Sequence, residues 1–310
     1  MTVALFTHPA CLGHDNGPFH PECPDRLRAV LQALEHPDFV PLLRESAPEA
    51  TPALLELAHP ADYVRAVLAI EPAPGEHVRF DADTAMGHGS REAASRAAGG
   101  AAAAVDAVME GWARAAFVAT RPPGHHAERR RAMGFCLFGS AAIAALHARA
   151  RWGVRRVAVV DFDVHHGNGT QDILESQPDM LYVSSHQSPC YPSTGGPEER
   201  GLANNVLNLP LPPGTTGVEF RRAWERNGLP AVDEWAPEVL IVSAGFDAHR
   251  ADPLAELRLD TEDFGWITDQ LLALADAHCG GRVVSVLEGG YDLKALAASA
   301  ALHVRRLMQV

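Results

Sequence analysis

A parallel sheet held between two layers of helix, the three-layer α/β architecture, is predicted by three features of the sequence. Short apolar runs alternate with longer helical patterns from one end to the other. Most of these runs are continuously apolar, which is how a strand covered on both faces reads. No long linker and no internal repeat breaks the alternation, so residues 1–310 are read as one domain.

The elements follow in order. The first strand is read at 3–7. Residues 24–34 then place Leu27, Val30, Leu31 and Leu34 at helical spacing behind Pro24. Thr51 and Pro52 read as an N-cap and the proline that opens a helix. A long alanine-rich helix is predicted at 90–110, a strand at 116–119 and a helix at 139–150. Strands at 156–160, 181–184, 206–209 and 239–242 come next. A helix at 261–278, a strand at 283–287 and a helix at 292–308 complete the set.

Composition narrows the function. Of 310 residues, 47% are hydrophobic and 21% charged, which fits a packed core and neither disorder nor coiled coil. A formal net charge of −13 repels phosphate backbones, so no nucleic-acid partner is expected. Lys294 is the only lysine, so there is no phosphate-binding GK[ST] loop, and a Schiff-base enzyme would have to rely on that one residue. The five cysteines form no CxxC pair, which disfavours both a disulfide framework and a thiolate zinc site. The opening MTVALFTHP lacks the basic flank and long apolar core of a signal peptide. The apolar stretch at 97–109 is too short and too weakly hydrophobic for a bilayer. A cytoplasmic protein without a membrane partner is the expectation.

In parallel sheets ligands gather beyond the carboxyl ends of the strands, and four such ends here carry chemistry. RPPGHHAE, from Arg121 to Glu128, stiffens a turn with two prolines and presents His125 and His126 side by side. VDFDVHHGNGT, from Val160 to Thr170, sets Asp161, Asp163 and His165 two residues apart, which in an extended chain puts them on one face. A carboxylate oxygen and an imidazole nitrogen suit zinc or another first-row divalent ion. SAGFDAHRADP offers Asp247 just past a strand end, as a third ligand or as a helix N-cap. LEGGYDL places Tyr291 after a glycine pair, as packing or as a donor to a developing oxyanion.

Together these residues describe a metal-dependent hydrolase. Two Asp and one His leave a coordination position open, as catalytic zinc requires. Two carboxylates nearly neutralise Zn²⁺, so its water is acidified less than at a site of neutral ligands, and a protein base is needed. His125 and His126 are the candidates for proton transfer. Asp161 and Asn168 are the candidates to orient them; a carboxylate raises the basicity of its histidine and a neutral amide does not.

RPPGHHA, GFCLFGS, DFDVHHGNGTQ, SAGFDAHRADPL and EGGY, in this order and spacing, resemble the zinc-dependent histone deacetylase and acetylpolyamine amidohydrolase family, in its class II branch and bacterial relatives. The resemblance runs from HPECPDRL at 20–27 to LEGGYDL at 287–293. It implies an arginase/deacetylase-like fold with an eight-stranded, mainly parallel sheet, and zinc on Asp163, His165 and Asp247. It implies the histidine pair His125 and His126, with Asn168 where other branches have aspartate, and the donor Tyr291. Phe135 and Tyr191 match the two aromatics that wall an acyl-lysine channel, the second more often phenylalanine. Gly134 falls near the leaving amine and Asp83 at the rim. A structural potassium ion is implied on oxygens of Asp161, Asp163, His165, Ser184 and Ser185. Cys23 departs from the arginine usual in HPERPDRL.

The implied substrate is an acylated lysine or a similar small acylated amine. An acetylpolyamine amidohydrolase is the alternative within the family. There, polyamine-selective members carry a glutamate seven residues after the third metal ligand, and this chain has Leu254. A silent acyl-lysine binding module is disfavoured by the intact tyrosine and histidines. A dimanganese arginase-like enzyme is disfavoured by His125 and His126 standing where a second metal would need ligands.

Overall fold

The computed structural model describes residues 2–309. The strands are β1 (Val3–Thr7), β2 (Leu43–Ser46), β3 (Val78–Arg79), β4 (Ala85–Met86), β5 (Ala115–Val118), β6 (Val157–Asp161), β7 (Met180–Gln187), β8 (Val206–Leu211), β9 (Val239–Ala244) and β10 (Val283–Leu287). Eight of them form one sheet in the order β2-β1-β5-β10-β9-β6-β7-β8, and every neighbouring pair is parallel. β3 and β4 pair antiparallel as a separate small ribbon.

The continuous apolar runs are explained by burial on both faces. Val3, Leu5, Ala115 and Phe117 point to one side, where the helices Pro24–Ala33, Thr261–Cys279 and Leu293–Gln309 pack. Ala4, Phe6, Ala116 and Val118 point to the other, against Ser90–Glu110 and Ser140–Trp152. The helix at 261 opens with a capping box between Asp260 and Asp263.

Besides the β3–β4 ribbon, which the sequence reading did not contain, the structure departs from that reading in three places. β2, with sequence LRES, is an exposed, charged edge strand, so no apolar run announces it. β7 runs on past Ser184 through Ser185, His186 and Gln187, because these polar residues still pair with β8 and are buried at the carboxyl end. The short helices Ala61–Leu68, Asn168–Leu174 and the run from Gly217 to Trp235, with a π-helical turn at Trp224–Gly228, fall outside the predicted set. Among the described residues no helix is long and apolar enough to cross a membrane.

Candidate active site

Five adjacent strands, β5, β10, β9, β6 and β7, carry most of the candidate residues at or just beyond their carboxyl ends, while Asp83 lies on the turn between β3 and β4. His125 and His126 follow β5, Tyr291 follows β10, and Asp247 follows β9. Asp163 and His165 follow β6, and Tyr191 follows β7. The expectation that Asp161, Asp163 and His165 share one extended face needs correction. β6 ends at Asp161, and the chain bends beyond it. Oδ1 of Asp161 accepts from the backbone N–H of Asp163 at 3.1 Å, and Oδ1 of Asp163 accepts from that of His165 at 2.9 Å. These two side-chain-to-backbone turns, rather than strand pleating, aim the ligand atoms. Asp247 is not an N-cap; its Oδ1 accepts from Val164 N–H at 2.9 Å, which ties the β9 loop to the β6 loop.

Asp163, His165 and Asp247 are buried, with ligand atoms all within 4.8 Å of one another, so the group could hold a metal ion. Nδ1 of His165 lies 3.1 Å from Oδ1 of Asp163 and 3.2 Å from Oδ2 of Asp247. The ring nitrogen has one N–H, and it is aligned on Asp163. Oδ2 of Asp247 is therefore buried without a hydrogen bond. An orphaned carboxylate oxygen facing a second buried carboxylate and an imidazole is a strong match to a divalent cation, because uncompensated buried charge is costly. Burial, and then the charge of Asp163, raise the Asp247 carboxyl above its ordinary value. Gly289 leaves the space this requires: a β-carbon there would collide with carboxylate oxygens of both aspartates.

The two histidines differ in their partners. Nδ1 of His125 is 3.0 Å from Oδ2 of Asp161, which also accepts from Tyr182. Burial disfavours a charge on His125, but the carboxylates of Asp163 and Asp161 outweigh it and push its pKa up to about 10. Nδ1 of His126 is 2.8 Å from Oδ1 of Asn168, a neutral amide. Burial, and then repulsion from His125 and His165, hold His126 well below its ordinary value. Side by side, one ring is biased to keep a proton and the other to stay neutral.

A cavity of about 200 Å³ opens onto this floor. Asp83, His126, Gly134, Phe135, His165, Tyr191, Leu254 and Tyr291 line it. Gly134 and Phe135 both have positive φ, +54° and +69°. A β-carbon at Gly134 would enter the His126 ring, so glycine is required both for conformation and for space. Phe135 stands edge-on to Tyr291 at 6.0 Å and to His20 at 4.6 Å. Tyr191 stands edge-on to His126 at 5.0 Å. Asp83 is held at the rim by Thr84, whose hydroxyl donates to it at 3.0 Å. Burial and then Asp81 raise the Asp83 carboxyl. Cys23 precedes the helix at 24 without capping it.

Four supporting residues escaped sequence reasoning. Arg26 reads as one more polar position in a helix, yet it is fully buried. Its Nε donates to the carbonyl of Gly290 at 2.6 Å and its Nη2 to that of Glu288 at 2.5 Å, so it grips the loop that carries Tyr291. Its guanidinium also lies 4.8 Å over the Tyr291 ring. Glu22 forms the buried counter-charge, shared with Arg121. Glu288 accepts from the N–H groups of Gly124 and His125, which fastens the histidine loop to β10. Asp252 accepts from the N–H of Tyr291 at 2.7 Å and from that of Leu254 at 3.0 Å. The only sequence signal for these four was their place inside recognisable motifs.

Fold and site together define an α/β enzyme whose polar centre lies at the carboxyl edge of a parallel sheet, around a buried Asp–His–Asp group. The chain belongs to the histone deacetylase family: the histone deacetylase domain matches residues 20–307. It is therefore a deacetylase-type hydrolase acting on amides. It is 40% identical to a histone deacetylase-like amidohydrolase of Pseudomonas aeruginosa over 94% of this chain and 82% of that protein. It is 37% identical to histone deacetylase 14, chloroplastic, of Arabidopsis thaliana, over 98% and 76%. The crystal structure of an HDA15 HD domain superposes with a TM-score of 0.91 at 35% identity, covering 99% of this chain and 89% of that one.

Proposed function

We propose that this protein is a zinc-dependent deacylase that removes acetyl or similar acyl groups from lysine side chains or related monoamines. The observation that carries the proposal is the apolar-walled cavity of about 200 Å³ whose floor is His126, His165 and Tyr291. An extended acyl-lysine chain would pass between Phe135 and Tyr191 with its amide at that floor. Asp163, His165 and Asp247 would hold zinc, which when bound supplies Lewis-acid polarisation of the amide carbonyl and acidifies water. Oxygens of Asp161, Asp163, His165, Ser184 and Ser185, all on buried residues, are the proposed holders of a structural potassium ion.

The chain's own residues divide the proton work. His126, kept neutral, accepts a proton at Nε2 from the attacking water. His125, kept protonated by Asp163 and Asp161, donates to the leaving amine as the carbon–nitrogen bond breaks. The Tyr291 hydroxyl donates to the oxygen on which negative charge grows. Burial, and then the carboxylate Asp247, hold that phenol well above its ordinary value, so it stays a donor. Gly134 leaves room beside His126 for the nitrogen. Asp83 is available at the rim to accept from the substrate backbone.

Leu254 argues for a monoamine over a polyamine, because it brings apolar bulk and no negative charge to the mouth. The test compares kcat/KM on zinc-loaded protein for an acetyl-lysine peptide and for N-acetylputrescine or acetylspermidine. Preference for the peptide is expected. A polyamine preference of tenfold, ~1.4 kcal/mol in transition-state binding, would favour the acetylpolyamine reading instead.

A further inference from the structure

We propose that Glu128 is a positioning residue that sets the tautomer of His126 through the side-chain amide of Asn168. The inference rests on the reading of His126 as proton acceptor. Nδ2 of Asn168 faces Oε1 of Glu128 at 2.7 Å and Sδ of Met133 at 3.3 Å. A carboxylate and a thioether can only accept, so the amide nitrogen belongs on their side. The amide oxygen is thereby turned to Nδ1 of His126, 2.8 Å away. A carbonyl oxygen can only accept, so Nδ1 carries the proton, and the neutral ring keeps its lone pair on Nε2.

Turned by half a rotation, the amide would present N–H to Nδ1. The ring proton would then move to Nε2, and the lone pair would be lost from the cavity side. The Asn168–His126 pair alone accepts either arrangement, since each pairs one donor with one acceptor. Glu128 breaks that tie with a charge-assisted hydrogen bond. His125 needs no such arbiter, because Asp161 is an acceptor at both oxygens. Glu128 is itself held by backbone bonds with Arg131 in both directions, at 3.0 and 3.3 Å. It does not line the cavity, so its effect on the reaction must pass through Asn168.

Glu128→Lys replaces the acceptor with a donor and should turn the amide over. Three measurements on the zinc-loaded protein read the result: the ¹⁵N resonances of the labelled His126 ring, kcat against KM, and zinc content. The expected outcome is a change from the Nδ1–H to the Nε2–H tautomer and a fall in kcat of about 10–100-fold, with KM and zinc content held. Glu128→Lys/Asn168→Asp should restore both the tautomer and most of kcat, because a carboxylate accepts from the lysine and from His126 together. Glu128→Gln keeps an acceptor oxygen and should lose less than Glu128→Lys. An unchanged tautomer in Glu128→Lys, or a loss of kcat that the double variant does not recover, would overturn the proposal. A tautomer change with undiminished kcat would leave the relay standing and overturn His126 as the proton acceptor.

Discussion

The floor and the mouth of the cavity are built differently. At the floor, Asp163 and Asp247 are each 1% exposed and His126 is 4% exposed. Each is fixed by named partners: a backbone N–H on Asp163 and Asp247, and an amide on His126. At the mouth, Tyr191 is 37% and Leu254 39% exposed. Leu254 is tied down through its backbone N–H, and Tyr191 meets its neighbours through ring edges. Charges at the floor sit in a low dielectric where each partner counts for several kcal/mol at most and about one at least. Side chains at the mouth sit in solvent, where a charge is screened. The floor is thus suited to chemistry common to any acylated amine, and the mouth to choosing among them.

Five changes probe that contrast, from the largest expected effect to the smallest. Asp247→Asn removes a proposed ligand whose free oxygen faces the other two. Zinc content by metal analysis and turnover should fall together to background, and full zinc with normal turnover would refute Asp247 as a ligand.

Next come changes that spare the metal. His126→Ala should lower kcat by ~10²–10⁴, and Tyr291→Phe by ~10²–10³, each with zinc content intact. Near-normal steady-state rates in either variant would move that role to another group.

Asp161→Asn acts one layer further out. It removes a carboxylate that keeps His125 protonated, so the proton is lost at lower pH. Since the proposed donor must be protonated, the alkaline limb of the kcat–pH profile should move to lower pH by about one unit or more. A limb that stays in place would mean that His125 is not the group it reports.

The smallest effect belongs to the mouth. Leu254→Glu should change the ratio of kcat/KM between acetylspermidine and an acetyl-lysine peptide by about tenfold in favour of the polyamine, with kcat for the peptide little altered. If kcat for the peptide collapsed instead, the mouth and the floor would not be separable.

The parts of this site legible in the sequence are those whose residue types are unusual where they stand. Asp163, His165 and Asp247 are polar groups within a few residues of the ends of apolar runs. The pair His125–His126 follows two prolines, and Tyr291 follows two glycines. Arg26, Glu288 and Glu128 are ordinary polar residues by sequence, and only burial and hydrogen bonding mark them out.

What the sequence determined by itself was the succession of strands and helices and the kind of chemistry at each strand end, because hydrophobic runs, prolines, glycines and ligand-type side chains are local signals. Which strand lies beside which was decided only by the tertiary structure. β5 and β10 are neighbours although a hundred and sixty-odd residues separate them, and β10 and β6 both flank β9. That order depends on backbone pairing between distant segments, and a backbone N–H or C=O carries no mark of its partner. The same holds for the choice between His125 and His126. Their side chains are chemically identical, and they diverge only because β6 ends in a carboxylate beside one and the helix Asn168–Leu174 begins with an amide beside the other.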